Sequence, residues 1–177
     1  MSLLTAEANE TVKAKGAIPM ENFVVRLGHE TDVPVLRDLA KKVWSVNLSP
    51  LRASSKDFIE TGADQFFGVV AKNKAFTILI LEESDTQEVA GFLILMLDFV
   101  EPLTLEKETY FMDVVIDPKY WGKSLWKPLF KRAEEMARER NNGYLLAMIT
   151  ASNERSLATF KSWGFEIERY QVLKRLD

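Results

Sequence analysis

The chain has 177 residues, 47% of them hydrophobic and 28% charged, with 8 glycines and 6 prolines. This is the profile of one globular domain with room for a core, and it excludes the disordered, collagenous and repeat classes. A count of 23 basic against 26 acidic residues gives a formal net charge of -3 and a pI near 5.4, so nucleic acid is not an expected partner. The absence of cysteine removes disulfides, thiol nucleophiles and zinc–thiolate sites, and the one histidine, His29, cannot build a metal site by itself.

Residues 1–20 are polar, small and aperiodic, and are expected to form a mobile extension ahead of a domain spanning 21–177. They also lack a basic start followed by an apolar stretch. The longest apolar run, 89–97, is about half the roughly 20 residues that a bilayer span requires. A soluble, cytoplasmic protein with no membrane partner is the expectation.

In chain order, residues 23–27 read as a strand. Thr31 or Asp32 can cap a helix in which Val35, Leu36, Leu39, Ala40 and Val43 recur at helical spacing. His29 falls between the two as a solvent-facing loop residue. A loop follows at 47–55, with Pro50, and a less regular helical region spans 56–70. Residues 75–81 and 89–99 are β-rich runs around a polar stretch, which suits an antiparallel pair. A strand at 110–116 closes on Asp117-Pro118, and the stripe Leu125, Leu129, Ala133, Met136 and Ala137 marks a helix that ends near Asn141-Asn142-Gly143. A buried strand is expected at 144–149, a short helix from Asn153 to Gly164, and a final strand at 170–176. The order β-α-α-β-β-β-α-β-α-β implies a mixed sheet in the α/β class.

The stretch from Asp113 through Leu125 is a strand, a tight loop and a helix start. Backbone N–H groups at such a helix end point outward and can hold phosphate oxygens; Gly122 permits close backbone approach and Lys123 adds a cation. A plain turn would have the same form. Neither a Walker-type loop nor a Gly-x-Gly-x-x-Gly pattern is present, which argues against a nucleotide hydrolase or a dinucleotide enzyme.

Three motifs in order change this balance. They are Val114-Val115-Ile116-Asp117-Pro118, then Lys119-Tyr120-Trp121-Gly122-Lys123-Ser124, then Asn153 followed by Phe160-Lys161-Ser162-Trp163-Gly164-Phe165. On these the chain resembles the GNAT superfamily of CoA-dependent N-acetyltransferases over about residues 22–177. The resemblance implies one domain with a mixed, mostly antiparallel twisted sheet of about six to seven strands, flanked by about four helices. It implies acetyl-CoA as co-substrate, no metal, an amine acceptor on a small molecule or peptide, and a homodimer as a frequent assembly among relatives.

Carried onto this sequence, the resemblance implies that the amides of Trp121, Gly122, Lys123, Ser124 and Leu125 hold the CoA pyrophosphate. Val114, Val115 and Ile116 would pair with the pantetheine arm, and Asn153 would bond to the same arm or serve as a plain helix cap. Lys119 and Ser124 stand where Arg or Gln and Gly or Ala are usual. Phe160 stands where many relatives carry a proton-donating tyrosine, and a phenyl ring donates none. Its position in the last turn of a helix, just before the Gly164 cap and Phe165, reads as core.

An amine acceptor must lose a proton before it attacks a thioester, so a carboxylate near the fourth strand is expected. Asp113 is the candidate, with a strand-end aspartate in an ion pair as the alternative. The glutamate more common upstream is replaced by Tyr110 or Met112, and Tyr110 joins Asp113 as a candidate catalytic residue. Trp44, Asn47, Leu51, Arg52 and Phe58 lie where acceptor specificity would arise, although Trp44 also suits the core. The expected activity is direct acetyl transfer to a primary amine. The alternative is a CoA-binding sensor or interaction module, suggested by Phe160.

Overall fold

Helices and strands follow the apolar periodicity closely in the computed structural model, which describes residues 20–53 and 56–176. In chain order they are β1 (Phe23–Leu27), α1 (Val33–Trp44), α2 (Lys56–Val70), β2 (Phe76–Glu83), β3 (Val89–Val100), β4 (Lys107–Ile116), α3 (Trp126–Glu139), β5 (Tyr144–Ala147) and α4 (Glu154–Ser162). Short 3₁₀ turns lie at Met20–Asn22, Glu30–Asp32 and Pro118–Tyr120. The expected extension at 1–20 lies outside the described residues except for Met20.

The strands form one sheet in the order β1-β2-β3-β4-β5, antiparallel throughout except for the parallel β4–β5 pair. Alternate residues of β2 and β3 feed two cores. Leu79, Leu81, Leu93 and Leu95 pack toward α3 and α4 with Leu129, Phe130, Ala133 and Phe160. Ile78, Ile80, Phe92 and Ile94 pack toward α1 and α2 with Leu36, Leu39, Ala40, Val43 and Phe67. Both faces are covered, which is why these strands read as unbroken apolar runs rather than alternating ones.

Arg26 fastens the start of α1 to the sheet. It forks onto both carboxylate oxygens of Asp32 at 2.8 and 2.9 Å and reaches Glu82 at 2.7 Å. Asp32 precedes α1 as expected, but its carboxylate accepts from the His29 N–H rather than from its own helix. His29 is exposed between β1 and α1.

β4 carries a bulge that shapes everything beyond it. Ile94 pairs with Asp113 and Leu95 with Phe111, so Met112 is an extra residue on β4. Phe111 lies in the α3–α4 core whereas Val115 lies in the α1–α2 core. Simple alternation would put both, with Asp113 between them, on one face. The extra residue flips the pattern and directs Asp113 toward α1.

Two expectations are corrected at the sheet's far edge. β5 ends at Ala147 instead of 149, because β4 and β5 part after the Phe111–Ala147 pair, at the bulge. The strand expected at 170–176 is absent, so the sheet has five strands among the described residues rather than six or seven. Phe165 packs against Phe160 and Phe111, and Arg169 then pairs with the buried Glu101 at 2.6 Å, at the end of β3. Beyond it Tyr170, Val172 and Leu176 are more than four-fifths exposed, at 85, 91 and 83%. Strand propensity describes fit to a half-buried pleated surface, and without a neighbour it forms none.

Candidate active site

Two cavities of about 390 and 410 Å³ open where β4 and β5 diverge. They share a wall that includes Val114 of β4 and Ser156 and Phe160 of α4. Each has its own electrostatic character. Among the described residues, the lining of the first contains a single ionisable carboxylate, Asp113, and the lining of the second a single cation, Arg155.

In the first cavity the indole N–H of Trp44 donates to Asp113 Oδ2 at 3.0 Å. Asp113 keeps some surface open to the cavity but is otherwise enclosed by protein atoms. Burial pushes its carboxyl up to about 7, against the opposing pull of the Trp44 and Val114 N–H groups. Asn153 also lines this space. Its Oδ1 accepts from the Ser156 N–H at 3.1 Å, so it is the N-cap of α4, and its side-chain NH₂ has no partner among the described residues.

The second cavity is bounded by Val114, Ile116, Trp121, Gly122, Ser124, Leu125, Arg155 and Phe160, among others. The Asp117 N–H bonds to Ala90 on β3, so by strand alternation the backbone groups of Val115 point to β3 and those of Val114 and Ile116 point to the open side. The Ile116 carbonyl on that side already accepts from Trp121 Nε1 at 2.8 Å. Arg155 stacks its guanidinium over the Trp121 ring at 3.5 Å.

The loop before α3 presents its amides unevenly. The N–H of Trp121 bonds to Pro118 and that of Lys123 to Tyr120, while those of Gly122, Ser124 and Leu125 have no acceptor among the described residues. Ser124 has φ +56° and Leu125 has φ -69°, ψ -8°. A left-handed residue followed by a right-handed one turns successive N–H groups to one side, forming a concavity suited to an anion at the start of α3. Gly122 has φ +80°, and a Cβ there would meet nothing within 4 Å. Its requirement is conformational, not steric.

The sequence profile of the Acetyltransferase (GNAT) family matches residues 38–165, which include the bulged strand, the loop and α4. The chain belongs to that family. Its fold is shared with solved structures at low identity. A protein of Pyrococcus furiosus assigned as an acetyl transferase has a TM-score of 0.75 at 14% identity, over 87% of this chain and 99% of its own. The aminoglycoside N-acetyltransferase AAC(6')-Iy, solved with CoA, has a TM-score of 0.63 at 13% identity, over 87% of this chain and 94% of its own. A ribosomal-protein-alanine N-acetyltransferase from Brucella melitensis biovar Abortus 2308 has a TM-score of 0.63 at 17% identity, over 87% and 99%. No curated protein sequence matches the chain.

The GNAT fold brings Asp113, Val114, Asn153 and Phe160 around the first cavity and Val114, Ile116, Trp121, Gly122, Ser124, Leu125 and Phe160 around the second. Tyr110, Val115, Lys119 and Lys123 line neither. Tyr110 packs on Phe99 at 5.4 Å and burial pushes its phenol up. Val115 is core, Lys119 is paired with Glu88, and Lys123 lies 5.5 Å from the Tyr120 ring. Sequence reasoning missed Arg155, the Ser156 hydroxyl on the shared wall, and the Met112 bulge. An acid inside the apolar run 110–116 was the one available hint of the bulge; Arg155 and Ser156 left no signal. Among the described residues there is no group of three or more His, Asp or Glu arranged to hold a metal, and no helix is long and apolar enough to cross a membrane.

Proposed function

We propose that the chain is an acetyl-CoA-dependent N-acetyltransferase that moves the acetyl group directly onto a primary amine, with acetyl-CoA in the second cavity and the amine in the first. The observation that carries this reading is the shared wall between a cavity holding one carboxylate and a cavity holding one cation with open amides. An anionic cofactor and a cationic acceptor would meet at that wall.

The free N–H groups of Gly122, Ser124 and Leu125 bind the pyrophosphate, with Arg155 and the α3 dipole adding positive potential. The open backbone groups of Val114 and the N–H of Ile116 pair with the pantetheine arm, and the NH₂ of Asn153 donates to it. Acetyl-CoA supplies an activated acyl group as a thioester. Asp113 accepts a proton from the ammonium, which frees the lone pair of the amine. The N–C bond then forms as the C–S bond breaks, and the sulfur leaves as a thiolate that takes up a proton from solvent. The nitrogen sheds its second proton to solvent and Asp113 returns its own proton to solvent, so that one proton is released per turnover. A carboxyl held near 7 suits this exchange at neutral pH. Phe160 donates nothing, and Ser156, one helical turn before it, is the one hydroxyl among the described residues that lines both cavities. We assign it to hydrogen-bonding the departing sulfur.

Thermal unfolding with and without acetyl-CoA tests the binding half. Ligand at about 100 times its dissociation constant stabilises by roughly 2.7 kcal/mol, and an unchanged transition at millimolar acetyl-CoA would reject the reading. The ring contacts of Phe160 with Phe111, Phe130 and Phe165 favour a second reading, a CoA-binding module without catalysis. Binding without thiol release over an amine panel would select it.

A further inference from the structure

The first cavity contains more information than the location of a base. Among the described residues its lining has Asp113 as the only ionisable side chain, and the described α2 wall contributes Phe58, Ile59 and Gly62, none with a hydrogen-bonding side chain. Phe58, Leu48 and Met148 line it while remaining exposed, at 72, 39 and 73%, so apolar side chains reach its rim, with the neutral Asn47, Thr150, Asn153 and Ser156 as the polar part of the lining. One carboxylate balances one ammonium. A second or third ammonium entering this space would lose hydration without gaining a counter-charge, and unpaired buried charge is strongly unfavourable. Peptide amides passing the α2 wall would lose water without partners there. An aromatic or aliphatic body, by contrast, gains from each apolar contact along Ile59, Met112 and Ile149.

We propose that the acceptor is a small primary amine bearing a single positive charge on an apolar aromatic or aliphatic body, rather than a polycation or a peptide. This rests on the assignment of the first cavity to the acceptor. The test is free-thiol release by the full chain at pH 8 with saturating acetyl-CoA, comparing phenethylamine and hexylamine with spermidine, kanamycin and a peptide beginning with alanine. The expected result is a kcat/KM for the monoamines at least about tenfold above the others.

A second arm uses Met148→Glu, which places a carboxylate at an exposed rim position where folding is not at stake. It should raise kcat/KM for 1,5-diaminopentane relative to hexylamine by about fivefold. Preference for spermidine, kanamycin or the peptide would overturn this inference and leave acetyl transfer standing. Acetyl-CoA binding with no thiol release from any amine would overturn both.

Discussion

The Trp44 indole N–H donates to Asp113 Oδ2 at 3.0 Å, joining the last turn of α1 to the half of β4 that has no partner on the β5 side. The bond stabilises the charged carboxylate and opposes the burial that raises its titration. Trp44→Phe keeps the ring against Phe66 and Phe67 but removes the donor. A hydrogen bond to a charged group is worth about 1.5–3 kcal/mol, equivalent to about one pH unit or more. The ascending limb of kcat/KM against pH should therefore move from near 7 to higher pH by that amount, with acetyl-CoA affinity unchanged.

Asp113 also predicts a pH dependence of stability. Its carboxyl titrates near 7 in the folded chain against 3.8 as the ordinary value. The folded state holds the proton more tightly, so the contribution of Asp113 to stability is highest below pH 4, falls as pH rises toward 7, and levels above it. The span is up to about 4 kcal/mol. Asp113→Asn removes this decline. The variant should be more stable than wild type at pH 8 and similar at pH 4 by chemical denaturation, while its acetyl transfer drops by about 10² to 10⁴.

The elements were legible in the sequence wherever a local period decided them. The β1 and α2 limits, 23–27 and 56–70, match the structure, because the local run of residue types sets them. The turn from Trp121 to Leu125 was legible for the same reason: strand, glycine and helix start are contiguous. What the sequence concealed depends on partners distant in the chain. The β5 end and the Met112 bulge arise from pairing with β3 and β4, and the segment 170–176 has strand chemistry but no strand beside it. Arg155 became visible only when α4 brought it over Trp121. Trp44 suited core and pocket alike, and the structure uses it as both.

Gly122 adopts φ +80°, a conformation that disfavours any Cβ by about 1–2 kcal/mol. Gly122→Ala should lower stability by that amount and weaken acetyl-CoA binding by realigning the Ser124 and Leu125 amides. The absence of any atom within 4 Å of its Cβ predicts no added clash. Calorimetric titration together with thermal unfolding checks both effects.

Ser156→Ala should reduce kcat about tenfold, the value of one hydrogen bond of roughly 1.4 kcal/mol, at unchanged acetyl-CoA affinity. Phe160→Tyr introduced into that background restores part of the loss if its hydroxyl reaches the shared wall, as the lining position of Phe160 predicts. Steady-state kinetics of the single and double variants measures this directly.

Arg155→Ala removes the only cation among the described residues lining the second cavity, and its stacking on Trp121. Acetyl-CoA affinity should fall by about 1 kcal/mol, and the residual affinity should depend less on salt than that of wild type.

The most direct test of the two-cavity account is amine-dependent thiol release from acetyl-CoA at pH 8, measured for wild type and Asp113→Asn together with acetyl-CoA binding. The account predicts release by wild type, a loss of at least about 10² in the variant, and equal acetyl-CoA affinity in both. Equal rates in the two proteins, or no release from a wild-type protein that binds acetyl-CoA, would contradict it.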